Sequence, residues 1–204
     1  MASRTFEFCT LQFFNQWLEK EAGYFEGLAS FEIDKQRQAL LGAGGHFRVA
    51  RNLPTKYEES RKLERYEPVL DILNKLGPVT HKNVTSIVSD TQQRISSEYG
   101  NRNVLSLTTK FMWLKFRSPV RIYDRQARIA LGTKPGDFAA FNEAFSSCYA
   151  RFQEQIEQAC GNLSKVIPYS VEPTMKEYEL RSLVSTKWFQ ERILDIYLWN
   201  QGSK

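Results

Sequence analysis

The chain has 204 residues, 42% of them apolar and 13% aromatic, enough to bury a core as one domain over 1–204 or as two closely fused lobes. That composition excludes a disordered chain. No apolar run reaches the ~18 residues needed to cross a bilayer, and the N-terminus lacks a signal-peptide pattern, so a cytoplasmic protein without a membrane partner is expected. The net charge of +5 and pI of about 9.1 permit a polyanionic partner without identifying one. Three cysteines (Cys9, Cys148 and Cys160) with no close spacing, and two isolated histidines (His46 and His81), make neither a disulfide framework nor a zinc site. Both histidines read as structural or surface residues.

Apolar spacing predicts a mostly helical chain. Leu11, Phe14, Trp17 and Leu18 recur at helical intervals over 10–21, and a second helix over 31–41 stops at Gly42. Gly42-Ala43-Gly44-Gly45 is expected to break regular structure as a turn, and it lacks the spacing of a nucleotide-binding fingerprint. Leu53-Pro54-Thr55 should open a charged helix towards Tyr66, and Pro68 should restart one over 69–76. Residues 83–99 form an amphipathic helix with Val84, Ile87, Val88 and Ile95 inside, ended by Gly100. A long helix over about 137–159 carries Phe138, Phe141, Phe145, Tyr149, Phe152 and Ile156 on one side, most simply as core. A last pair spans roughly 174–199 with a break near Ser185. The economical reading is one all-α bundle.

Between these elements lie the residues that carry a chemical signal. Lys110 sits in Thr108-Thr109-Lys110-Phe111-Met112-Trp113-Leu114, where an ammonium must snorkel, pair or give up its proton. Pro119 pushes the preceding residue out of helical geometry, so that helix should end by Ser118 and 120–123 should run extended. Asp124 then falls at the N-cap of a short helix over 125–131, with Gly132 at its C′ position. A helix N-terminus favours an ionised carboxylate, the form that stabilises a sugar cation, and a neutral lysine amine is a nucleophile. Arg117, Arg121, Arg125 and Arg128 crowd the region, the last three on one helical side, and are candidates for phosphate contacts. A structural reading competes: an N-terminal aspartate is usually a cap, a lysine stem often covers apolar surface, and arginines often form a solvated face.

Leu107-Thr108-Thr109-Lys110-Phe111 followed by Pro119-Val120-Arg121-Ile122-Tyr123-Asp124-Arg125-Gln126-Ala127-Arg128-Ile129-Ala130 resembles the helix-hairpin-helix DNA glycosylases. The resemblance is greatest to archaeal-type 8-oxoguanine DNA glycosylases and to their bacterial relatives that remove glucosylated hydroxymethylcytosine from phage DNA. In that superfamily a lysine starts the second helix of the hairpin and an aspartate after a short extended segment caps the next helix, which Lys110 and Asp124 match. The resemblance covers about a seventh of the chain. Leu105-Ser106-Leu107-Thr108 departs from the glycine-rich hairpin of most members, leaving Ser106, Thr108 and Thr109 as hydroxyl contacts to phosphate.

The resemblance implies an enzyme that flips a modified base out of DNA and cleaves its bond to the sugar, with Lys110 and Asp124 catalytic and no cofactor or metal. Trp113 and Tyr123 are the nearest aromatic candidates for the base pocket, or core. Three readings follow: a monomeric glycosylase for glucosylated 5-hydroxymethylcytosine in anti-phage defence; an 8-oxoguanine glycosylase with lyase activity in repair; and a non-catalytic helical nucleic-acid-binding domain.

Overall fold

The computed structural model describes residues 4–51 and 53–203. The chain is all-α with one small hairpin, as the apolar periodicity predicts. Its elements are α1 (Phe6–Gln16), α2 (Ala22–Ala29), α3 (Ile33–His46), β1 (Lys56–Glu58), β2 (Leu63–Glu64), α4 (Glu67–Asn74), α5 (Val84–Glu98), α6 (Leu105–Phe116), α7 (Arg125–Ala130), α8 (Phe138–Asn162), α9 (Glu177–Val184) and α10 (Lys187–Gly202). These fall into two compact units, one of residues 1–20 with 123–204, the other of residues 21–122.

In the first unit, α1 is built on its caps. Thr5 accepts from the Phe8 N–H at 3.3 Å, so the helix starts earlier than the apolar spacing predicts. Its buried face is Phe6, Cys9, Phe13 and Phe14 rather than Leu11 and Leu18. A π-helical stretch, Trp17–Glu21, follows. Phe6 stacks on Tyr197 of α10 at 4.4 Å, and Phe13 packs on Phe189 at 4.8 Å. Asp137 caps α8 through the Ala140 N–H, and the predicted stripe of α8 is buried at Phe138, Phe141, Phe145, Tyr149 and Ile156. The break near Ser185 is present: Ser185 caps α9 and α10 begins at Lys187.

In the second unit, α3 runs through the four residues 42–45 read from sequence as a turn. Two of the glycines there, Gly42 and Gly44, serve packing. A Cβ on Gly44 would lie 2.1 Å from Tyr66 Oη, and one on Gly42 would lie 2.6 Å from Tyr24 Cε1. Helical propensity is overridden by the rings laid against bare backbone. Residues 56–64, predicted as a charged helix, instead form the antiparallel hairpin β1–β2, because Tyr57 packs edge-on against Tyr99 at 5.6 Å and donates to Glu98 at 2.6 Å. α4 begins with Pro68 in its first turn, and Arg37 of α3 holds Glu67 through Nε at 3.0 Å and Nη2 at 2.5 Å. In α5, Val84, Val88, Thr91 and Ile95 are buried and Ile87 is half-buried. Gly100 and Asn101, both at positive φ, turn the chain towards α6, which packs on α5.

Candidate functional site

Lys110 belongs to the second unit and Asp124 to the first. Each is positioned by its own local frame.

The apolar residues of α6 are spread round the helix rather than gathered on one face, the pattern of a helix buried on most of its sides. Leu105 to Leu114 are buried except Ser106. Lys110 is 6% exposed, and its Nζ donates to Ser106 Oγ, one turn earlier, at 2.7 Å. At 6% exposure the side chain does not snorkel out, and the Ser106 hydroxyl gives its amine a partner within α6. Lys110 is the sixth residue of α6, not its start as the resemblance implies. With no glycine in 105–108, nothing holds the first turn open, and the helix begins at Leu105, whose N–H reaches Asn103 Oδ1 at 3.3 Å.

The same burial corrects several expectations. Thr108 and Thr109 are fully buried, and the Thr109 hydroxyl donates to the Leu105 carbonyl at 3.1 Å, so neither presents a hydroxyl to phosphate. Ser106, half-buried, keeps some access. Trp113 is 2% exposed and lies in the core, with no face open for a base. Arg117, with φ of 54°, ends α6 and places its guanidinium 4.0 Å over the Phe25 ring. Burial pushes that guanidinium below its ordinary pKa. Arg121 is buried and engaged within the protein. It precedes α7 and shares no helix face with Arg125 and Arg128.

The frame of Asp124 matches its sequence reading closely. A cis Ser118–Pro119 peptide is followed by residues 120–123 outside regular structure. Asp124, with φ of −126° and ψ of 149°, caps α7, its Oδ1 accepting from the Gln126 N–H at 2.9 Å. Gly132, at φ of 67°, closes α7 with its N–H on the Ile129 carbonyl. Tyr123 anchors the approach: its ring meets Phe141 at 5.1 Å, and its hydroxyl accepts from the Gly136 N–H at 2.9 Å. Tyr123 is therefore a core residue at 8% exposure, not an open stacking face. Arg125 is exposed, while Arg128 is half-buried and donates to the Thr133 carbonyl at 2.6 Å.

Other buried charges went unread in the sequence. In the second unit, fully buried Glu21 meets His46 Nε2 at 3.2 Å, giving that histidine a structural partner; His81 is exposed. On α10, Glu191 and Asp195 are 4% and 5% exposed, and Arg192 pairs with Asp195. Their i,i+4 spacing among Phe189, Ile193, Leu194 and Ile196 is the signal that could have found them, since acids inside an apolar stripe rarely face solvent. Among the described residues no group of three or more histidine, cysteine, aspartate or glutamate side chains could hold a metal ion, and no helix is long and apolar enough to cross a membrane.

Comparison with protein-family models, with curated proteins and with solved structures returns no match.

Proposed function

We propose that the protein is a DNA N-glycosylase that excises a modified base, with glucosylated 5-hydroxymethylcytosine of phage DNA as substrate. The observation that carries the proposal is the buried lysine. Lysine is almost never buried without a partner or a task, and desolvating an ammonium is costly. Lys110 is held at 6% exposure with its Nζ on the Ser106 hydroxyl, among positions 105–114 of α6 that are otherwise threonine or apolar. A polar group kept at such cost is a candidate for chemistry. The capped carboxylate of Asp124 lies in the sequence frame that resembles the glycosylases.

In the proposed reaction the nucleotide is extruded from the duplex, at a cost of a few kcal/mol in lost stacking and pairing. The bond between C1′ and the base nitrogen breaks, and its electron pair leaves with the base, which takes up a proton. Asp124 stabilises the positive charge left on the sugar, by the kind of preorganised electrostatics that is usually the largest single contribution to catalysis. Water then attacks C1′ to give an abasic site. Alternatively the Lys110 amine, having given up its proton, attacks C1′ in place of water as the base leaves; the C1′–O4′ bond then opens with loss of the remaining proton on nitrogen, and the resulting Schiff base allows elimination of the 3′ phosphate. Exposed Arg125 and half-buried Ser106 are the retained candidates for phosphate contacts, which bring affinity without sequence reading.

The test compares wild type, Lys110→Gln and Asp124→Asn on glucosylated phage DNA and on an oxidised-guanine duplex, scoring released base and abasic sites, with borohydride trapping on the same samples. Release by wild type and not by the variants supports the proposal, and the DNA that responds distinguishes defence from repair. A trapped adduct that requires Lys110 assigns the nucleophile. Equal release by all three proteins would refute the site, and binding of both DNAs without release would favour a non-catalytic domain.

A further inference from the structure

Gly202 ends α10 in an ordinary helical conformation, outside the positive-φ positions of the chain, and the residue after it, Ser203, has φ of −87°. The usual reason for glycine at a helix end, a left-handed backbone, is therefore absent. A close approach takes its place. A Cβ built on Gly202 would lie 1.9 Å from the Gln126 carbonyl oxygen, 2.7 Å from its carbonyl carbon and 3.0 Å from its Cα. All three are backbone atoms, so no side-chain movement could relieve the overlap.

Gln126 is the residue whose N–H holds Asp124 Oδ1 at 2.9 Å. The last turn of α10 thus bears on the residue that orients the candidate catalytic carboxylate. α10 is the main packing partner of α7, and further support comes from Tyr123, fixed by Gly136 and Phe141, and from Arg128, which ties the end of the helix to Thr133. We infer that Gly202 is a positioning residue for Asp124, its missing side chain allowing α10 to buttress the first turn of α7. The inference rests on the glycosylase reading for its catalytic consequence, but not for its structural one.

Two readouts separate these consequences. Gly202→Ala is compared with Gly161→Ala, a glycine in α8 with no atom within 4 Å of an added Cβ. Amide exchange is measured at the Gln126 N–H, and kcat and KM are measured for base release from glucosylated phage DNA. In Gly202→Ala the Gln126 amide should exchange about tenfold faster while core amides of α8 keep their protection, and kcat should fall about tenfold with KM unchanged. Gly161→Ala should match wild type in both. A milder variant covers the case in which Gly202→Ala does not fold: Ser203→Ala removes the Oγ bond to the Trp199 carbonyl, 2.7 Å long, that closes the last turn of α10. It should speed exchange at Gln126 about threefold. Unchanged Gln126 exchange in Gly202→Ala, or in Ser203→Ala should the first variant not fold, would overturn the inference. Accelerated exchange with unchanged kcat would overturn its catalytic half. If wild type releases no base, the glycosylase reading fails, and the exchange data alone decide whether Gly202 positions Asp124.

Discussion

Gly44 and Gly45 are neighbours on α3 that should respond to alanine with opposite signs. A Cβ on Gly44 would lie 2.1 Å from Tyr66 Oη, 2.6 Å from Cζ and 2.7 Å from Cε2, whereas nothing lies within 4 Å of one on Gly45. Tyr66 is 4% exposed and meets Phe111 edge-on at 5.1 Å, so its ring would have to move by more than an ångström inside a filled core. Overpacking of this kind costs about 1–3 kcal/mol, offset by the roughly 0.5–1 kcal/mol gained when glycine leaves a helix. Gly44→Ala should therefore lose about 1–2 kcal/mol, and Gly45→Ala should gain about 0.4–1 kcal/mol through the unfolded chain. Gly42→Ala should fall between them, because half-buried Tyr24 has room to swing away. Urea titration followed by far-UV circular dichroism reads the differences, and melting should separate the Gly44 and Gly45 variants by about 5 °C, at about 2–4 °C per kcal/mol for a chain of this size. If Gly44→Ala is as stable as wild type, the close approach of Tyr66 is not what places glycine in this helix.

The cap and the charge of Asp124 can be separated by two substitutions. Asp124→Ala should cost about 1 kcal/mol of stability in denaturant titration, whereas Asp124→Asn, which still accepts from Gln126, should stay within about 0.5 kcal/mol while base release falls 10²–10³-fold. Burial pushes the Cys9 thiol up to about 11 and the Cys160 thiol up to about 12. In native protein at pH 8, peptide mapping after iodoacetamide should find both unmodified, and in urea both labelled. Because these folded-state values are raised, their contribution to stability is complete below the unfolded thiol pKa of about 8.5 and is lost as pH rises through about 11 and about 12. Denaturation midpoints that rise with pH above 9 would contradict this. Arg37→Lys should cost about 1 kcal/mol in thermal or urea unfolding, since a lysine cannot reproduce the forked contact with Glu67, and an unchanged midpoint would show that exposure has screened the pair to nothing.

Where a local signal decides the backbone, the sequence is a good guide. Asp124 and Gly132 bracket α7, Asp137 opens α8, Pro68 sits in the first turn of α4 and Gly100 turns the chain after α5, because caps and turns act within a few residues. It misleads where a distant partner decides. The glycines of 42–45 look like breakers until Tyr24 and Tyr66 are laid against them, and 56–64 looks like a charged helix until Tyr57 finds Tyr99. The candidate site divides along the same line. The capped carboxylate of Asp124 was legible from Pro119 and the short helix that follows. The burial of Thr108, Thr109, Trp113 and Arg121 was not, since it depends on what packs around α6 and the segment after it.

The order in which the units are threaded bears on synthesis. α1 precedes residues 21–122, whereas its packing partners on α8 and α10 follow them. At about 5–20 residues per second, a ribosome delivers those partners on the order of ten seconds after α1. During that interval Phe6, Phe13 and Phe14 have no completed core to enter, while residues 21–122 have every contact of their own unit in hand. The second unit can therefore fold first on the nascent chain, with the apolar face of α1 left without its α8 and α10 partners until α10 has emerged.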